Sequence, residues 1–229
     1  MNENDNISAS GARQEDAPRL LREVAYERLR DAITYGELLP GTPLSETQLS
    51  KEFEISRTPV REAIQQLERE GLVQIIPGRA ITVAALSMQE VMDVVHLRYL
   101  LEPEVARLAA RLMNSRMQKT LNQTVEHMKK AAEDDDRAGW SRLDTHYHEV
   151  MADACSNKLL GKMALQMRNR VHYIINEPQT ALSRIQTCTD EHRIVAEAIG
   201  EGDADLAENA MRDHMEKLRS SLFERFAHL

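Results

Sequence analysis

A mainly α-helical chain in two parts is what this sequence predicts. Apolar residues recur at helical spacing along most of its length. Two short β-prone runs flank a Pro-Gly turn at Pro77-Gly78, and an almost unbroken helical pattern follows from Ser87 onward. The expected architecture is an N-terminal winged helix-turn-helix and a C-terminal antiparallel bundle of six or seven helices. The boundaries implied are a disordered arm over 1–17, the winged unit over 18–85 and the helical unit over 86–229.

The first helix is expected from Pro18 to Tyr35, where Leu21, Val24, Ala25, Leu29, Ala32 and Ile33 fall on helical spacing and Gly36 ends the run. A turn-rich connector, "LLPGTPLS", leads to Ser45, an N-cap with Gln48 three residues on. The short helix it starts contains Leu49 and Phe53. Ser56 is positioned to cap a third helix running to Glu70 and stopped by Gly71. Strands are expected at Leu72–Ile76 and Ala80–Ala84. Beyond Ser87, breaks near Asn114–Ser115, Asp134–Gly139, Ser156–Asn157, Glu177–Pro178 and Gly200–Gly202 divide the bundle.

The 229 residues suffice for one large domain or two smaller ones. No run approaches the ~20 apolar residues of a membrane span. The polar, acidic opening "MNENDNISASGARQEDAP" lacks the basic start and apolar stretch of a signal peptide. Two cysteines, Cys155 and Cys188, are too few for a disulfide framework and fit a reducing cytoplasm. The formal charge is -8, but residues 18–85 carry 9 positive and 10 negative charges and are close to neutral. Such a segment still binds nucleic acid if its cations share a face.

The segment "SRTPVREAIQQLEREG" concentrates that chemistry. Val60, Ala63, Ile64 and Leu67 form an apolar stripe, while Arg57, Arg61 and Gln65 stand four apart on another face. Arg57 and Thr58 fall in the first turn, the part of a recognition helix that enters the major groove. Arg forks onto guanine or phosphate, and Gln pairs with adenine. The competing reading is a surface helix laced by Arg–Glu pairs, with Glu62, Glu68 and Glu70 nearby.

From about Arg22 to Val83 the chain, and above all "PLSETQLSKEFEISRTPVREAIQQLEREGLV", closely resembles the winged-helix domain of the GntR family of bacterial transcription regulators. The resemblance implies DNA contacts by Thr47, Arg57, Thr58 and Arg61, with Arg79 at the wing tip reaching the minor groove. The family's wing commonly reads Arg-Gly, where this chain has Arg79-Ala80. Ala does not take positive φ cheaply, so a different wing turn is expected.

In "SRLDTHYHEV", Asp144 and His148 lie four apart, about 40° around a helix, and share a face. His146 points the other way. Two ligands do not make a metal site, and two later histidines offer the rest. His192 precedes the Gly200–Gly202 break and His214 follows it by a similar number of turns, which in a helical hairpin puts both at similar depth. The alternative is a set of ordinary surface or hydrogen-bonded histidines. His96, His127, His172 and His228 have no such partner spacing and read as surface or satisfied core residues. Cys155 and Cys188 read as buried free thiols.

The stretches "LRYLLEPEVARLAA", "DTHYHEVMADACSNKLL" and "DEHRIVAEAIGEGDADLAENAMRDHM" resemble the FCD ligand-binding domain, the partner of the winged helix in the FadR-like branch of the family. Its metal-binding members use one Asp and three His in this pattern, which here implies Asp144, His148, His192 and His214. Three imidazoles and a carboxylate suit Zn, with Ni, Mn or Fe also compatible.

Four protein ligands on an octahedral ion leave room for a small carboxylate effector, whose far end needs a cation. Arg98, in the family-like "LRYLLEP" helix, is the first choice, against a plain pair with Glu102. Arg168, Arg170 and Asn176 are further effector-binding candidates. The implied function is a cytoplasmic bacterial regulator, a repressor by the family's usual direction. It is expected to be a homodimer on palindromic double-stranded operator DNA, with no membrane partner. A regulator that senses the metal itself is the alternative. A metal-dependent enzyme is disfavoured, because Glu149 lies about 100° around the helix from His148 and no other acid is placed as a general base.

Overall fold

The computed structural model describes residues 11–175 and 182–226, and its chain divides into two compact units, Met1–Ala85 and Leu86–Leu229. In the first unit, helices α1 (Gly11–Thr34), α2 (Glu46–Phe53) and α3 (Arg57–Arg69) precede an antiparallel hairpin of β1 (Val73–Ile76) and β2 (Ala80–Val83). Helix α1 begins at Gly11, so residues 11–17, expected in a disordered arm, are helical. Ala12, Arg13, Gln14, Glu15 and Ala17 all favour that conformation, and Pro18 removes only one hydrogen bond from it.

Helical spacing explains the core of this unit. Ala25, Leu29 and Ile33 stand four apart on α1, and Val60, Ala63, Ile64 and Leu67 form the stripe on α3; all are buried together with Leu49, Leu72 and Val83. Tyr26 Oη donates to Glu70 at 2.8 Å and ties α1 to the end of α3. Ser45 caps α2 by accepting from Gln48 N–H, as its position predicts. Ser56 occupies the N-cap of α3 but makes no side-chain cap bond. Pro59 stands at the third helical position, where a capping hydroxyl would find an N–H, and proline has none.

The connector before α2 is more ordered than its turn residues imply. Gly41 N–H donates to Val83, Leu44 N–H to Ile81 and Val83 N–H to Thr42, so the connector lies along β2 in an antiparallel bridge, Pro43 opposite Thr82. At the wing tip, Arg79 N–H donates to Ile76 and Gly78 carries the positive φ of +69°. Ala80 pairs with Ile76 in the ladder, so the Ala that replaces the usual Gly needs no left-handed backbone. Open space surrounds Gly78, so Gly78→Ala meets no clash. The variant should still lose about 1–2 kcal/mol through left-handed strain, measurable as a lower midpoint in denaturant.

The second unit holds α4 (Met88–Leu112), α5 (Ser115–Glu133), α6 (Arg137–Ala154), α7 (Lys158–Ile175), α8 (Leu182–Glu201) and α9 (Ala204–Phe226), six helices among the described residues. A reciprocal capping box between Ser87 and Glu90 starts α4. Asp136 caps α6 through Gly139 N–H, after Asp135 turns the chain at φ 53°. Helix α4 packs on α6, α7, α8 and α9, while α6 also packs on α5 and α7. Val95, Val105, Leu121, Met128, Tyr147, Val171, Val195, Met211 and Met215 fill the space between them. No helix among the described residues is long and apolar enough to cross a membrane.

Candidate metal centre and nucleic-acid interface

Among the described residues of the helical unit, the buried charged and imidazole side chains form one set. Arg98, Glu102, Asp144, His148, Arg168, His172, Glu191, His192 and His214 are all buried. Charged side chains are rarely buried without partners, and these have them. Arg98 Nε donates to Glu102 Oε1 at 2.6 Å, Arg168 Nη2 donates to Asp144 Oδ2, and Glu191 accepts from Arg184 Nη1 at 3.2 Å.

Four donor atoms converge inside this ring. His148 Nε2 and His192 Nε2 are 3.1 Å apart, and Asp144 Oδ1 lies 3.2 Å from the latter and 3.7 Å from the former. His214 joins the two histidines, with one ring nitrogen of each within 4.8 Å of the others. Each imidazole is oriented from behind through Nδ1. His192 Nδ1–H donates to the Cys188 carbonyl at 2.6 Å, His214 Nδ1–H donates to Glu191 Oε2 at 2.8 Å, and His148 Nδ1 faces Glu102 Oε2 at 3.5 Å. An Nδ1–H so engaged turns the Nε2 lone pair toward the centre, the arrangement that orients metal-ligating histidines. Two such lone pairs at 3.1 Å repel unless a proton or a cation lies between them. The donor set fits a divalent ion.

Electrostatics point the same way at three of the four donors. Burial opposes ionisation of Asp144, but Arg168 and the neighbouring imidazoles outweigh it and hold the carboxyl well below its usual range. Burial, reinforced by Arg168, pushes His148 well down, and burial lowers His214 to about 4 despite Glu191. Both are therefore neutral donors. At His192 burial is outweighed by the Cys188 sulfur and the Asp144 carboxylate, which raise it. Tyr147, fully buried, donates from Oη to the His192 carbonyl at 3.0 Å and locks α6 to α8.

A cavity opens on this cluster, lined by Arg98, Trp140, Asp144, His148, Arg168, His172, Cys188, His214 and Leu218. The centres of water-sized guests have about 30 Å³ available, room for an ion with a water or two, or for a very small acid. Arg98 makes the pair with Glu102 that competed with its effector role, yet still borders the cavity. Arg168 borders it too, and its buried Nε has no hydrogen-bond partner among the described residues. Arg170 is absent from the lining and Asn176 lies outside the described residues. His146 is exposed beside Glu149, away from the cluster.

Four contributors escaped sequence reasoning. Glu191 adjoins His192 in sequence but reaches His214. Glu102, weighed only as a partner for Arg98, also faces His148. His172, without ligand spacing, shares a 2.8 Å hydrogen bond with Ser141 at the cavity wall. Cys188 stands one turn before His192 and was a plain thiol by spacing alone; the i,i+4 relation was the available signal.

On the winged unit, Thr47, Arg57, Thr58, Arg61, Gln65 and Arg79 are all exposed. The first five lie on α2 and α3, and Arg79 lies at the wing tip. Arg61 forks onto Glu46 of α2, with Nε and Nη2 at 3.0 and 2.9 Å from its oxygens, a partner different from the glutamates of its own helix. Arg57 makes no hydrogen bond or ion pair among the described residues.

Residues 21–83 match the family described as bacterial regulatory proteins, gntR family, and residues 93–217 match the FCD domain. The chain is a GntR-family regulator with an FCD domain. It is 29% identical over 204 residues to the HTH-type transcriptional repressor RspR of Escherichia coli, covering 86% of each chain. It is 29% identical over 218 residues to the HTH-type transcriptional regulator LutR of Bacillus subtilis, covering 84% of this chain and 98% of that one. The solved structure of E. coli McbR/YncC shares its fold at a TM-score of 0.79 and 20% identity, over 90% of this chain and 98% of that one.

Membership settles the class. This GntR-family protein is a DNA-binding transcriptional regulator, not an enzyme, and the buried cluster belongs to the FCD half of it.

Proposed function

We propose that this regulator is a bacterial cytoplasmic repressor. Its grip on a palindromic operator is set by a small carboxylate bound at a divalent metal, Zn by preference, in the FCD domain. The convergence of Asp144 Oδ1 with three Nδ1-anchored histidines carries the proposal. Asp144, His148, His192 and His214 would hold the ion, which supplies a Lewis-acidic seat for an anion. The fixed charges beside it already pair off, Arg98 with Glu102 and Arg168 with Asp144. A divalent ion therefore adds positive charge that an anionic guest neutralises, and Arg168, whose Nε has no hydrogen-bond partner among the described residues, borders the cavity. The repressor sign follows RspR by likeness. A homodimer suits a two-fold operator, and Leu97 and Leu100, exposed on α4, offer an apolar strip for it.

A thermal-shift screen of small metabolite acids, run with and without chelator, tests the reading. An acid should raise the midpoint only in metal-loaded protein. Stabilisation that survives chelation would place the acid elsewhere. Glu191→Gln keeps the shape but weakens the acceptor behind His214, so metal affinity in a chelator competition should fall about 10–100-fold. Unchanged affinity would remove Glu191 from the site.

The size of the cavity favours a second reading, in which the metal itself is the signal. Under it, operator affinity titrates with free metal when no acid is present. Under the first, metal alone leaves operator affinity unchanged.

A further inference from the structure

We propose that Cys188 is a fifth protein donor of the FCD cavity, its thiolate joining Asp144, His148, His192 and His214 on the ion. The inference rests on the metal reading above and extends it to a residue outside the Asp-and-three-His set. Cys188 stands one helical turn before His192 on α8, half-buried, and borders the same cavity. Its Sγ, one oxygen of Asp144 and one nitrogen of His192 all lie within 4.8 Å of one another, and so do Sγ, a Glu191 oxygen and a His214 nitrogen. The sulfur rests 3.5 Å from His192 Nδ1, beside the rear of that ring, so a turn of the Cys188 side chain is needed to bring it onto the ion.

Cys188 is not isolated in this role. Arg168, 2% exposed, borders the same cavity, and its buried Nε has no hydrogen-bond partner among the described residues. The other thiol differs by position: Cys155 is fully buried, is absent from the cavity lining, and its Sγ donates to the Asn157 carbonyl at 3.4 Å. On binding, the Cys188 S–H bond breaks, its proton leaves to solvent and the freed sulfur pair bonds the cation; no electron is transferred. A soft thiolate among imidazoles tilts the site toward Zn, Co or Ni and away from Mn or Mg.

Cobalt(II), added to the chelator-stripped full chain under reducing, anaerobic conditions, separates the possibilities. The expected result is visible ligand-field bands together with a near-ultraviolet sulfur-to-cobalt charge-transfer band. Cys188→Ser should lose the charge-transfer band and keep the visible ones, while Cys155→Ser keeps both. In wild-type protein, bound cobalt should also protect one thiol from a thiol-reactive dye until chelator is added, a readout that needs no variant. Visible bands without a charge-transfer band, or a dye reaction unaffected by cobalt, would overturn the role of Cys188 and leave the metal reading standing. Protein that retains no cobalt after desalting would overturn both.

Discussion

Replacing His192 and His214 together with alanine should strip the chain of divalent metal and lower the melting midpoint of its helical unit by several degrees. The two rings stack edge-on at 4.6 Å between centroids and approach His148 from α8 and α9, so the double change removes half of the converging donors. Asp144 and His148 on α6 remain, and the Cys188 sulfur does not make up for two lost imidazoles. A ligand bound only by the folded state at 100–1,000 times its dissociation constant contributes about 2.7–4.1 kcal/mol. For a unit of this size each kcal/mol corresponds to about 2–4 °C, so chelation of wild-type protein should lower the midpoint by about 5–16 °C. The double variant should melt where chelated wild type does, or below, and should not respond to chelator. Two buried imidazoles are lost as well, so the metal content of the folded variant is the decisive number. If elemental analysis finds the metal retained at wild-type stoichiometry, the four-ligand assignment fails.

Much of the fold was legible because the two periodicities are simple. Val60, Ala63, Ile64 and Leu67 state both the helix and its buried face, and the breaks expected near Asn114–Ser115 and Gly200–Gly202 lie within a residue or two of helix ends. What escaped depends on backbone partners that side-chain pattern does not encode. Residues 41–44 read as a connector because Pro43 and Gly41 punctuate them, yet their free backbone groups lie against β2 and pair there. Ser56 looked like a capping residue until the missing N–H of Pro59 is counted.

The candidate site shows a similar division. The i,i+4 relation exposes Asp144 with His148 and also Arg98 with Glu102, because neighbours on one helix need only geometry. Matching depth on two helices of a hairpin pairs His192 with His214, since rise per residue is fixed. The anchoring groups behind the rings are different. Glu191 reaches His214 across a helix interface, and which ring nitrogen it meets depends on rotamers. The partnership of Arg61 with Glu46, fifteen positions away, is likewise invisible until α2 and α3 pack.

Substituting Arg57 by alanine should weaken operator binding more than any other single change on the winged unit. Arg57 opens α3, the first turn that a recognition helix presents to the major groove, and its guanidinium is unpaired among the described residues. A bidentate contact to guanine is worth about 1–3 kcal/mol, which is about 5–150-fold in affinity for each half-site and more for a dimer that loses two. Arg61 starts from a different position, because it already forks onto Glu46 and must exchange that carboxylate for DNA. Its alanine variant should therefore lose less, and Glu46→Gln should free Arg61 and tighten binding at low salt. Anisotropy titrations against an operator selected from random sequence, at two salt concentrations, separate the kinds of contact. A base-reading Arg57 relaxes specificity at one position with an unchanged salt slope, whereas a phosphate contact lowers the slope by about one and leaves specificity intact. If neither Arg57→Ala nor Arg61→Ala changes binding, α3 is not the recognition helix. Because metal content is set in the other unit, both variants should keep it at the wild-type level, so a loss of DNA binding is read at the DNA-reading face itself.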